Sequence, residues 1–192
     1  MMTHQTPETC PIRNGVDCDR LFGTIDAVGE KTELGQFQFR ARNRWINGGH
    51  NRTTIKEFYG AGQEDLSRAE PFVLDADEPD VLLGENHGAN PVEYVLTALA
   101  GCLTTSLVYH AAARGITLHE VESRLEGALD VRGLLGMSDE VRNGYERIDV
   151  TFTVTGDAPD EVLDELCQVA QQRSPVFDIV SHPVAVTVRR ER

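Results

Sequence analysis

The sequence predicts an α+β fold, and three observations carry that reading. Residues 90–113 form a long, almost uncharged helical stretch, segments with alternating apolar residues stand on both sides of it, and a second amphipathic helix follows near the C-terminus. Gly15 to Gly35 comes first, with Val16, Leu21, Phe22, Ile25 and Val28 at helical spacing, and reads as an amphipathic helix. Residues 1–36 are therefore expected to form an N-terminal helical extension, and residues 37–192 the main domain. Phe37 to Ile46 alternates, Asn47-Gly-Gly-His-Asn makes a turn and Arg52 to Tyr59 alternates again, which predicts a β-hairpin. A short strand at Pro71 to Leu74 leads into an acidic loop, Asp75 to Glu85.

Asn90-Pro-Val-Glu then starts the central helix, with Asn90 as N-cap, Pro91 at the first helical position and Glu93 placed to return a hydrogen bond to the cap. Gly115 stops it. Ile116 to Val131 and Tyr145 to Thr155 read as strands joined by a loop at Gly133 to Gly144; the second faces a core with Ile148, Val150, Phe152 and Val154. Pro159 opens a helix through Val162, Leu163, Leu166, Val169 and Ala170 that ends near Ser174-Pro175, and Val184 to Val188 is expected to close the fold as a strand. No internal repeat or low-complexity tract interrupts this order.

Composition narrows the function classes. The 18 Lys and Arg against 31 Asp and Glu give a formal charge of −13. A surface this acidic repels phosphate backbones and anionic lipid, so neither nucleic acid nor a membrane is an expected partner. The N-terminus lacks a basic segment followed by an apolar one, so a reducing cytoplasm is the expected compartment and the four cysteines are expected to be free thiols. Residues 94–113 carry no formal charge, enough length for a bilayer span, but Thr97, Thr104, Thr105, Ser106 and His110 dilute the stretch and no basic anchor flanks it. A helix apolar or small on all sides is expected to be buried all round, and in a domain this small it often needs a second subunit to cover it.

Cys102 lies in the middle of that helix. A thiol there is either inert packing or a nucleophile in an apolar pocket. It sits eleven residues past Pro91, roughly 16 Å along the axis, too far for the helix N-terminus to favour its thiolate. His110 is eight residues on, roughly 12 Å away and turned by about 80°, which rules out a same-chain dyad. The six histidines show no clustered metal-ligand spacing and no nucleotide-binding glycine loop occurs, so no metal or other cofactor is expected.

The run Asn90-Pro-Val-Glu-Tyr-Val-Leu-Thr-Ala-Leu-Ala-Gly-Cys102, the strands at Leu125 to Val131 and Ile148 to Val154, and the helix ending Ser174-Pro-Val resemble the osmotically inducible protein C (OsmC) and organic hydroperoxide resistance (Ohr) superfamily over about Phe37 to Val188. The resemblance implies antiparallel sheets wrapped around two central helices in an intertwined homodimer, with the active site at the dimer interface. It implies a cysteine at position 102 that attacks an organic hydroperoxide, is oxidised to a sulfenic acid and condenses with a cysteine on the second helix, after which a dithiol reductant restores the enzyme.

It further implies an activating arginine near the first hairpin turn. Arg52 is the best match and Arg44 the reserve, against the alternative that either is a solvated hairpin charge. Two positions depart from the peroxidase pattern. Ser174 stands where that branch carries its resolving cysteine, and a serine cannot form a disulfide. Val92 stands where the catalytic glutamate ten residues before the cysteine belongs. Glu93, one residue off and about 180° around the helix from Cys102, is a candidate for substrate contact but reads first as a cap. Ser174 and the loop residue His87 are further candidates for lining the pocket. Cys167 is seven residues before Ser174, roughly 10 Å along the helix, and reads as core; Cys10 and Cys18 fall outside the resemblance. Two functions stay open: a one-cysteine hydroperoxidase of the stress response that uses an external thiol reductant, and a non-catalytic protein that binds a small apolar ligand on the same scaffold.

Overall fold

The computed structural model describes residues 12–191. In chain order it contains β1 (Ile12–Arg13), β2 (Val16–Asp17), α1 (Cys18–Glu30), β3 (Gln38–Phe39), β4 (Arg42–Asn47), β5 (His50–Ile55), β6 (Phe58–Gly60), β7 (Gln63–Asp65) and β8 (Phe72–Ala76). Then follow α2 (Pro91–Ala113), β9 (Leu118–Ala128), α3 (Val131–Leu134), β10 (Arg147–Gly156), α4 (Asp160–Arg173) and α5 (Pro175–Ser181). The α+β class and the order of the main elements are as expected. The chain divides into two compact units, Asp19–Val95 and a second one formed by residues 12–18 with 96–191.

The second unit holds a core built from α2, α4 and the β9–β10 ribbon. Leu107 and Ala111 of α2 meet Ile116, Leu163, Leu166 and Ala170, all buried, and Leu118, Val121, Phe152 and Val154 of the ribbon pack against them. The period-2 pattern of β10 puts Ile148, Val150, Phe152 and Val154 on the partly buried side, and antiparallel pairing runs from Arg147↔Ala128 to Gly156↔Leu118. Gly115, at φ +75°, ends α2 in the left-handed region. The β1–β2 hairpin turns on Asn14-Gly15, both at positive φ, the backbone a tight two-residue turn requires. Asn14 then ties the hairpin to the chain beyond α2: its Nδ2 donates to the Ile116 carbonyl at 2.9 Å, and its Oδ1 accepts from the Leu118 N–H at 2.9 Å.

In the first unit β4, β5 and β8 form one antiparallel sheet and β3, β6 and β7 another. The register aligns Arg44, Arg52 and Asp75 across the first sheet, and Trp45, Asn51 and Ala76 in the next row on its other face.

Several expectations are corrected. The sequence places a closing strand at Val184 to Val188, but those residues adopt no regular structure, and Val184, Val186 and Val188 are 59%, 77% and 90% exposed. Alternating valines make a segment competent to be a strand, yet a strand also needs a free edge to pair with, and none among the described residues takes it. The central helix is not buried all round: Leu99, Leu103, Leu107, Ala111 and Ala112 form its buried stripe, whereas Tyr109 is half exposed. Its length and hydropathy would suit a bilayer, but that stripe packs in the protein core. Pro159 precedes the first turn of α4 rather than occupying it, the expected strand at Pro71 to Leu74 lies at Phe72–Ala76, and the expected strand at Ile116 to Val131 is shorter and followed by the α3 turn. The helical pattern from Gly15 begins with a hairpin instead, and α1 starts at Cys18.

Candidate active site

The start of α2 is capped as its sequence requires. The Asn90 N–H donates to Glu93 Oε2 at 2.8 Å, and the Glu93 N–H donates to Asn90 Oδ1 at 2.9 Å. Replacing Asn90 with alanine removes one side of this reciprocal pair, and we expect a loss of about 1 kcal/mol, read as a lower urea midpoint with an unchanged denaturant slope. A change under a few tenths of a kcal/mol would mean that water replaces the cap.

Cys102 lies three turns into α2 as a free, half-buried thiol. Cys18 and Cys167 are also free. Cys18 is buried, its Sγ 3.8 Å from the Ala112 carbonyl oxygen, and Cys167 packs against the core cluster, where burial and the nearby Asp164 push its thiol pKa up. Cys10 lies outside the described residues. On the same helix as Cys102, His110 is held below the usual imidazole range by burial and by the charges of Arg114 and Arg173.

Ser174 is buried at the junction of α4 and α5, where its hydroxyl oxygen accepts the Phe177 N–H at 3.1 Å. It caps α5, a helix that the sequence reading ended before. Ser174-Pro175 carries the signal for that helix, a capping serine followed by proline at the first helical position.

Arg52 and His87 belong to one network within the first unit. The Arg52 guanidinium donates to both oxygens of Asp75, Nε to Oδ1 at 2.9 Å and a terminal nitrogen to Oδ2 at 3.1 Å. His50 Nε2 lies 2.8 Å from the same Oδ1. The hydrogen bonds from Arg52 and then His50 hold the Asp75 carboxyl below its ordinary range, and Asp75 in turn raises the Arg52 pKa. The His50 ring stacks on His87, with centroids 4.5 Å apart and planes 3° from parallel. His87 Nδ1 is 2.9 Å from Oδ2 of Asp77, which is only 2% exposed. The Asp77 carboxylate also accepts the backbone N–H groups of Glu78, Glu85 and His87 at 2.8, 3.1 and 3.2 Å. Hydrogen bonding from His87 and these amides outweighs desolvation and holds the Asp77 carboxyl far below its ordinary range. The loop closes on itself so tightly that a Cβ at Gly84 or Gly88 would collide with the carbonyl oxygens of Glu78 and Asp75.

His50, Asp75 and Asp77 were not singled out from the sequence, which merged the two aspartates into an acidic loop and His50 into a turn. Parallel imidazole planes cannot aim in-plane lone pairs at a common point, so His50 and His87 do not form a chelating pair as arranged.

The architecture is that of a known family, and the model of the OsmC-like proteins matches residues 84–189, more than half of the chain. The chain belongs to the OsmC-like family. Its matched segment contains Cys102, Glu93, His87 and Ser174, whereas Arg52 lies before it. The fold is similar to that of an OsmC-like protein from Mycoplasma pneumoniae, with a TM-score of 0.58 at 13% identity over 76% of this chain and 89% of that one. It is also similar to an organic hydroperoxide resistance protein OsmC from Legionella pneumophila, with a TM-score of 0.50 at 19% identity over 74% and 88% of the two chains. At such identities the likeness shows the fold alone. No curated protein matches the sequence significantly.

Proposed function

We propose that this OsmC-like protein reduces organic hydroperoxides through Cys102 in a one-cysteine cycle. The observation that carries this reading is Cys102 itself, a free and half-buried thiol inside the family-matched segment. The name of the Legionella pneumophila relative supports a role in the response to hydroperoxide stress. In the proposed reaction the Cys102 thiolate attacks one peroxide oxygen and the O–O bond breaks. Cys102 becomes a sulfenic acid, and the alkoxide takes up a proton and leaves as alcohol, so the thiolate gives up the two electrons that the peroxide gains. An external thiol then condenses with the sulfenic acid and releases water. A second thiol frees Cys102 and leaves as a disulfide, so no cysteine is needed at position 174.

Arg52 is the proposed activating cation, with Arg44 directly opposite it in the sheet as reserve; Arg52 would have to exchange its Asp75 partner to serve. The functional form is proposed to be a cytoplasmic homodimer. The half-exposed side of α2, the 69% exposed Trp45 and the unpaired valines at 184, 186 and 188 are surfaces that a second subunit would cover.

Stoichiometric cumene hydroperoxide followed by sulfenic-acid trapping and intact-mass spectrometry tests the reaction. Rapid oxidation that vanishes in Cys102→Ser and is reversed by a small thiol is the expected result. A second reading, a non-catalytic protein that binds a small apolar ligand, is favoured by the structural engagement of Glu93, Ser174 and Arg52. Oxidation of Cys102 no faster than that of an ordinary free thiol would select it.

A further inference from the structure

The segment Arg40 to Lys56 places five of the chain's 18 Lys and Arg in seventeen residues and contains none of its 31 Asp and Glu. In a chain of net charge −13 that segregation is a local reversal of sign. The fold concentrates it further. Arg44 and Arg52 are direct register partners on neighbouring antiparallel strands, an arrangement in which like charges repel, and Arg42 lies two residues along the same face of β4. Carboxylates answer only part of this charge: Glu64 grips Arg40 through two hydrogen bonds and Asp75 grips Arg52. Arg42, Arg44 and Lys56 have no ion pair among the described residues. Arg42 and Lys56 open with Arg40 and Thr54 into one shallow cleft that Glu57 and Pro71 also line.

We propose that this cleft binds a small soluble polyanion of the phosphate or pyrophosphate class, held by Arg42 and Lys56. Arg offers a planar fork and Lys a point charge, the pair suited to a tetrahedral oxyanion with more than one negative charge. A single carboxylate would neutralise only one of these cations. A nucleic-acid backbone would have to approach a chain that carries −13 overall. The site is independent of Cys102 and of the peroxidase reading.

Isothermal titration with inorganic pyrophosphate at low ionic strength tests it, paired with a thermal-melt series in the same ligand. The expected result is saturable binding that weakens with added salt, raises the melting temperature, and falls about tenfold or more in the double variant Arg42→Gln, Lys56→Gln. The control Arg124→Gln, Arg147→Gln removes the same charge from the β9–β10 ribbon and should bind as the parent does. Absence of saturable binding to the parent protein, equal weakening in the control, or binding of a duplex DNA oligonucleotide in preference to pyrophosphate would each overturn the proposal.

Discussion

Replacing Leu107 with alanine is expected to cost about 3–4 kcal/mol in equilibrium urea unfolding, a large share of the stability of a domain this size. Leu107 is fully buried where α2 meets Leu163, Leu166 and Ala170 of α4. Truncation removes three carbons from that contact, roughly 2–2.5 kcal/mol of transfer free energy at about 0.8 kcal/mol per methylene-sized group. The remainder comes from the cavity, because Ala111 and Ala170 beside it have no side-chain length with which to fill the space. Thr105→Ala, on the exposed side of the same helix, is the matched control and should change stability by no more than about 0.5 kcal/mol. Measured at one protein concentration, a Leu107→Ala cost below about 1 kcal/mol would show that the core is not centred where these contacts put it.

The second large effect is expected at Asp77. Its carboxylate gathers three backbone N–H groups and the His87 ring, so Asp77→Ala leaves those donors without an acceptor inside a loop that has no room to rearrange. We expect the amides of Glu78, Glu85 and His87 to lose protection in hydrogen exchange and the urea midpoint to fall at pH 7. The pH dependence has a definite sign. The folded Asp77 carboxyl titrates below its unfolded value, so its stabilisation is fully present above the unfolded value of about 3.9 and is lost as the pH falls further. The gap between parent and variant should therefore be widest above about pH 5, begin to narrow below about pH 4, and close only as the pH falls through the depressed folded value. A gap that stays constant from pH 7 to pH 3 would assign the loss to packing and not to the charge.

These two sites differ in how far the sequence announced them. The ends of α2 were legible because their signals are local: the Asn90 and Glu93 cap, Pro91 and the Gly115 stop can all be read from neighbouring residues, whereas the Leu99, Leu103, Leu107 stripe was not, since a helix apolar or small on every side does not show which side the core covers. The β9–β10 ribbon was legible for the same reason, since Ile148, Val150, Phe152 and Val154 alternate without interruption. The Asp77 knot was not. Its hydrogen bonds are short-range, but their meaning depends on the long-range stack of His87 on His50 and on the strand register that brings Asp75 to Arg52. Composition saw only an acidic stretch there. The closing strand at Val184 failed in the opposite sense: the local pattern was right, but the pairing edge it needs is not a local property. Of the candidate site residues, the sequence identified Glu93 correctly as a cap, whereas Ser174 was read as a missing thiol and a pocket-lining candidate and its cap on the following helix was not foreseen.

Ser174 carries a consequence for substitution as well as for folding. Its hydroxyl accepts the Phe177 N–H in the first turn of α5, its carbonyl accepts from Asp178, and it is the single residue between α4 and α5, so it anchors the corner between the two helices. A thiol is a poorer and bulkier acceptor than a hydroxyl. A cysteine placed at position 174 would thus loosen the corner that positions it. The architecture of this corner constrains the chemistry that position 174 can carry, and a thiol there would first require another residue to take over the cap.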